Sequence, residues 1–131
     1  MPVPLVPQHY PDDFQLIILP LNTAGDGADQ ALFYADRNIV IDSVHVGTSV
    51  ADTSAAVVLK YASSPVPATI ASGTAITSSM DISATGTVGG NSVVLNTSNQ
   101  VPAGNWVGCD FTSATDTFKG VVQIRFRSAI A

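Results

Sequence analysis

From Phe14 onward the chain reads as short apolar segments separated by clusters of Gly, Ser, Thr, Asn, Asp and Pro. FQLIILPL (14–21) ends at the loop NTAGDGADQ, and ALFYA (31–35) and NIVIDSVHV (38–46) follow. Beyond the loop GTSVADTS come AAVVLKYA (55–62), SSPVP, ATIA (68–71) and TAITSSMDIS (74–83). The remainder runs through the loop ATGTVGG, NSVVLN (91–96), the loop TSNQVPAG, NWVGCDFT (105–112), SATDTF and GVVQIRFRS (120–128). These eight or nine segments recur near the 8–12-residue spacing of sandwiches and barrels. No stretch keeps an i, i+3, i+4, i+7 apolar pattern over three turns. The pattern predicts an all-β fold.

The alternation also predicts faces. In GVVQIRFRS, Val122, Ile124 and Phe126 point one way and Gln123, Arg125 and Arg127 the other. In NWVGCDF, Val107, Cys109 and Phe111 share a face, opposite Trp106, Gly108 and Asp110. NIVIDSVHV breaks phase: Ile39 and Ile41 lie on one face, Val44 and Val46 on the other. A one-residue slip at Asp42–Ser43, a β-bulge, restores a common face.

Residues 1–13 differ from the rest. Pro2, Pro4, Pro7 and Pro11 remove backbone donors and fix φ, so this stretch is expected to be an extended arm ahead of a single sandwich domain, residues 14–131. Val3, Leu5, Val6 and Tyr10 give the arm apolar groups to bury on a partner.

Composition supports the β reading. All ten acidic residues are Asp, which belongs to turns and caps, and none is Glu, which belongs to helix faces. Charged residues make up only 11% of the 131, so Ser, Thr, Asn, Gly and Ala must form much of the surface. A net charge of −5, with Arg125 and Arg127 as the one close pair of cations, argues against a nucleic-acid partner. One cysteine allows no internal disulfide. The opening MPVPLVPQHYPDD has no basic n-region or apolar h-region and is not expected to act as a signal peptide. LIILPL is too short to span a bilayer, so no membrane partner is expected.

Candidate chemistry is sparse. Cys109, between two apolar neighbours of its own face and with no cation or His adjacent, reads as a small buried hydrophobe rather than a reactive thiol. Trp106, on the face with Asp110, is a candidate rim or partner contact. His9 and His45 lie in no catalytic motif, and His45, between Val44 and Val46, reads as a solvent-facing or hydrogen-bonded strand residue. Asp26 and Asp29 sit in a loop without the full spacing of a Ca²⁺ site, and Asp12–Asp13 lack a pocket. GTVGG follows no strand-to-helix pattern of a phosphate loop. The expectation is no enzyme, no cofactor and no metal.

From Arg37 to Ser128 the chain resembles small jelly-roll proteins encoded by tailed bacteriophages near their major capsid genes. The resemblance rests on the turn at Gly73–Ala75, the VPAG turn (101–104) before a strand ending in apolar/Asp alternation, and the final amphipathic strand. It implies an antiparallel jelly-roll-like β-sandwich of about eight strands, and the proline-rich N-terminal arm departs from the family's common pattern. It further implies a head decoration (cement) protein on the capsid exterior, made in the host cytoplasm, whose partners are the major capsid protein and copies of itself in a homotrimer. The alternative it carries is a receptor- or carbohydrate-binding domain of a head or tail fibre. No catalytic residue transfers from the resemblance.

Overall fold

In the computed structural model, residues 15–22, 29–90, 99–112 and 117–129 are described. They form ten strands and one short helix. In chain order these are β1 (Gln15–Asn22), β2 (Gln30–Ala35), β3 (Ile39–Val50), β4 (Ala56–Ala62), α1 (Pro67–Ala71), β5 (Thr74–Ala75), β6 (Met80–Asp81), β7 (Gly86–Gly90), β8 (Gln100–Val101), β9 (Asn105–Thr112) and β10 (Lys119–Ser128).

Two antiparallel sheets result. The first runs β1-β10-β3-β7 with β8 also on β3, and the second runs β2-β9-β4-β5 with β6 also on β4. The pairing is that of a chain folded back on itself: β1 meets β10, β2 meets β9, β3 meets β7, and β4 meets β5 and β6. Rolling this long hairpin brings β10 onto β3 and β9 onto β4, which makes the double sheet of a jelly roll. The all-β sandwich expected from the sequence is present, with ten strands rather than about eight. Three of the ten, β5, β6 and β8, are only two residues long.

The apolar alternation builds the core between the sheets. Ile41, Val44, Val46, Val122 and Ile124 from the first sheet and Val57, Leu59 and Val107 from the second are fully buried, with Cys109 beside them. Phe126 is 8% exposed and stacks on Phe33 at a centroid distance of 5.2 Å. The bulge expected at Asp42–Ser43 is there: Phe126 faces Ile41 and Arg125 faces Ser43, so Asp42 is the extra residue. A second slip, between Lys119 and Gly120, passes over Ser49, whose hydroxyl donates to the Lys119 carbonyl at 2.9 Å.

Five segments depart from the sequence reading, the first being TSNQVPAG, read as loop, where Gln100 and Val101 form β8 on β3. ATIA, read as a strand, belongs to α1, because Pro67 sits at the helix start where its fixed φ and missing donor are tolerated. TAITSSMDIS is not one strand. Between β5 and β6 the Thr77 hydroxyl accepts from the Leu59 N–H at 3.0 Å, so a side chain takes the place of the ladder. GTSV, read as loop, extends β3 to Val50. GTVGG, also read as loop, is β7, and a Cβ on Gly89 would lie 2.1 Å from the Val44 carbonyl oxygen at a φ of +112°. Glycine there permits the strands to approach, which a propensity reading misses. The NSVVLN segment lies outside the described residues.

Replacing Phe126 by Ala removes a buried ring and its stacking partner. Urea unfolding should show a loss of about 3–5 kcal/mol, and a loss below about 1 kcal/mol would place this ring outside the core.

Candidate interaction surfaces

The two sheets differ in what covers their outer faces. On the second sheet, the outward residues of β9 are Trp106, Gly108 and Asp110, as the alternation predicted. Helix α1 lies over this face, with Ile70 fully buried. A Cβ added to Gly108 would meet the Gln30 carbonyl oxygen at 2.7 Å and the Ile70 Cδ1 and Cγ2 at 3.0 and 3.1 Å. Gly108 is therefore the seat of the helix. Lys60, opposite Gly108 on β4, bridges to Asp110 at 2.7 Å and donates to the Ala71 carbonyl at 2.6 Å, fixing the end of α1 to the sheet.

Asp29 completes this polar edge. Its carboxylate accepts from the Phe111 N–H at 2.9 Å and neighbours Asp110. Burial is the main influence raising its pKa above the ordinary value of 3.8, and the charge of Asp110 and the hydrogen bond shared with it act in the same direction. The bond from Phe111 and the charge of Lys60 oppose that rise without cancelling it.

The first sheet has no such cover among the described residues. Its outer face carries three rows across β1, β10 and β3, Leu16–Arg125–Ser43, Ile18–Gln123–His45 and, on β10 and β3, Val121–Gly47. Leu16, Ile18 and Val121 are 51%, 58% and 40% exposed, and they stand in successive rows of the face. Beside them a shallow trough of about 470 Å³ runs over Gly47, between Val121 and Thr87. Lys119, Arg125 and Arg127 all lie on β10, three of the five cations of the chain. Arg127 is engaged with Asp42 at 3.2 Å.

A cleft of about 470 Å³ opens between the sheets on the side of their edge strands β1 and β2. Ile17, Phe33, Ile39 and Phe126 supply apolar lining, and Asp36 and Arg37 line it as well, joined by an exposed ion pair at 3.3 Å. This lining offers packing and a few polar contacts.

The candidate residues from the sequence fall in different places. Val3, Leu5, Val6 and Tyr10, together with His9, Asp12, Asp13 and Asp26, lie outside the described residues. Trp106 is half-buried on the outer face of the second sheet, 5.2 Å from the ring of Tyr34. Cys109 is buried, and burial first, then Asp29 and Asp110, pushes its thiol up to about 12, so it behaves as a core residue. His45 lies on the uncovered face of the first sheet, and its Nδ1 is buried without a partner. No group of three or more His, Cys, Asp or Glu able to hold a metal occurs among the described residues. No described helix is long and apolar enough to cross a membrane. Sequence reasoning missed the uncovered face because Leu16 and Ile18 stand in an apolar run that hides which residues point outward.

No family model, curated protein or solved structure matches this chain.

Two measurements check this edge. Gly108→Ala should lower stability by about 1–3 kcal/mol through overpacking, and Ile70→Ala in the same chain should recover part of that loss. Additive losses would separate Gly108 from the helix. For Asp29, a raised folded pKa means that its stabilising contribution is complete below pH 3.8 and is lost as pH rises through the folded value. Asp29→Asn keeps the acceptor for Phe111 and removes the ionisation. The variant should exceed the parent at pH 7 by less than about 1 kcal/mol, given solvent screening, and the gain should vanish on acidification below the ordinary carboxylate range. A gain that grows toward acid would reverse the sign.

Proposed function

We propose that this protein is a structural component of a bacteriophage virion that decorates and stabilises the capsid exterior, docking through the outer face of the β1-β10-β3-β7 sheet. The observation that carries this reading is the contrast between the two sheets. One is closed by the chain's own helix, with Ile70 seated on Gly108, while the other presents Leu16, Ile18 and Val121 in successive rows to solvent. Contiguous exposed apolar residues mark interaction surfaces rather than idle ones. The glycine-floored trough beside them lets a partner approach the backbone closely.

A decoration protein acts as many copies, so each contact needs only modest area. A sandwich with one sheet face left uncovered among the described residues suits that task. The resemblance of residues 37–128 to phage head decoration proteins points the same way. The partners under this reading are the major capsid protein and further copies of the chain, arranged as a trimer. No catalytic role, cofactor or nucleic-acid contact belongs to it. The proline arm supplies a second contact through Val3, Leu5, Val6 and Tyr10.

Co-sedimentation with capsids lacking the protein tests the reading. Ile18→Asp with Val121→Asp should weaken binding at least about tenfold, or about 1.4 kcal/mol, with the β spectrum and melting temperature retained. Deleting residues 1–11 should weaken it by a similar factor and leave the fold intact. Full binding by the double variant would remove the sheet face from the interface, and failure of the parent protein to sediment with any capsid would remove the virion role.

A further inference from the structure

The outer face of the second sheet carries a different chemistry near the end of β9. Tyr34 on β2, Trp106 on β9 and Ala62 on β4 stand in one row, set by the strand register. Tyr34 is 50% exposed, and its ring meets that of Trp106 at 5.2 Å with a tilt of 57°. Two aromatic rings thus form an angled apolar corner on this face. Ala62, the strand neighbour of Trp106, and Asn105, the residue before it, both line a hollow of about 310 Å³. Its other lining is Tyr61, Ser63, Thr69, Ser72, Gly73 and Thr74, and the rings of Tyr34 and Trp106 stand beside it rather than in its wall.

The composition of that hollow selects a ligand class. Beside Tyr61, Ala62 and Gly73 it offers the hydroxyls of Ser63, Thr69, Ser72 and Thr74 and the Asn105 amide, with no charged side chain, so an ionic ligand would find no counter-charge there. One Asn105 side-chain N–H is committed to the Pro102 carbonyl at 2.9 Å, which leaves its second N–H as donor and its amide oxygen as acceptor. The Ser72 hydroxyl is committed to the Ala68 and Thr69 carbonyls. Ligand sites combine aromatic or apolar area with a few placed polar groups in about 300–1,000 Å³, and this hollow is at the lower end. A pyranose has the matching shape: an apolar C–H face for an aromatic ring and a rim of hydroxyls that donate and accept. We propose that Tyr34 and Trp106, with the adjoining hollow, form a binding site for a neutral saccharide. The site lies on the opposite sheet from the proposed capsid contact and stands independently of it, and a decorating protein placed in this way would present the sugar site outward.

Trp106 is the only tryptophan of the chain, so its emission reports on the site without labelling. The full chain is titrated with the methyl glycosides of glucose, galactose, mannose and N-acetylglucosamine, with inorganic phosphate as the ionic control, and calorimetry is run in parallel to register binding that leaves the emission unchanged. At least one glycoside should bind saturably and shift the emission, while phosphate should do neither. Tyr34→Ala, at a half-exposed position that leaves the core untouched, should weaken that glycoside by about tenfold or more. Ser63→Ala should weaken it several-fold. Absence of saturable binding by every glycoside overturns the proposal. So does affinity that is unchanged in Tyr34→Ala while circular dichroism shows the fold retained.

Discussion

The sandwich depends on one extra residue in β3. This strand pairs with β10, β7 and β8, so its register governs most of the first sheet. Without the bulge at Asp42, the period-2 rule would send either Ile39 and Ile41 or Val44 and Val46 to the outer face. With it, all four are buried, Ile41, Val44 and Val46 completely. The extra residue is not left idle. Both Asp42 carboxylate oxygens accept from the Arg127 Nε at 3.2 Å, and Asn99 bonds the Ile41 backbone from the other side. A charged pair at the slip and a backbone clasp beside it oppose sliding of β3 against β10.

The contrast between the two outer faces follows from small residues placed in different settings. Gly108 makes room for Ile70, so the second sheet is closed by a five-residue helix that would be too short to persist alone. Lys60 then ties the end of that helix to Asp110. The first sheet has glycines at 47 and 89 with no described helix over them. Val121, against Gly47, and Ile18 remain half-exposed. The same economy of side chains that seats a helix on one sheet leaves an open trough on the other.

Much of the fold was legible from alternation, because a strand with one face in the core must repeat every second residue. β9 and β10 appear with the faces that their apolar positions assign, and the phase break in NIVIDSVHV marks the bulge. Cys109 was legible for the same reason, and its buried thiol is held neutral by its surroundings. What escaped was structure made by the absence of side chains. β7 is rich in glycine and carries no alternation, yet pairs along five residues of β3. α1 is too short to show a helical period, and only Pro67 hints at its start. The aromatic corner was half legible: Trp106 could be assigned a face, but its meeting with Tyr34 arises from pairing across 72 positions of chain, subject to a slip between Ala31 and Phe33. The charge pattern of the faces was hidden too, since it requires knowing which strands share a sheet.

The exclusive use of Asp among acids has a structural reason that also shapes the surface. Asp42 fills a bulge, Asp29 takes the Phe111 N–H, and Asp81 accepts from the Ser83 backbone and hydroxyl, which lowers its pKa. Each task joins a carboxylate to nearby backbone or to a strand neighbour, which favours the shorter side chain. Asp110 belongs to the same economy, because its ion pair with Lys60 serves the helix rather than solvent. Acids spent on such closures are withdrawn from open faces. On the rows of the first sheet that hold Leu16, Ile18 and Val121 no carboxylate appears, while β10 contributes Lys119, Arg125 and Arg127 to that sheet. A chain with net charge −5 thus gathers three of its five cations into the final strand of the sheet left open.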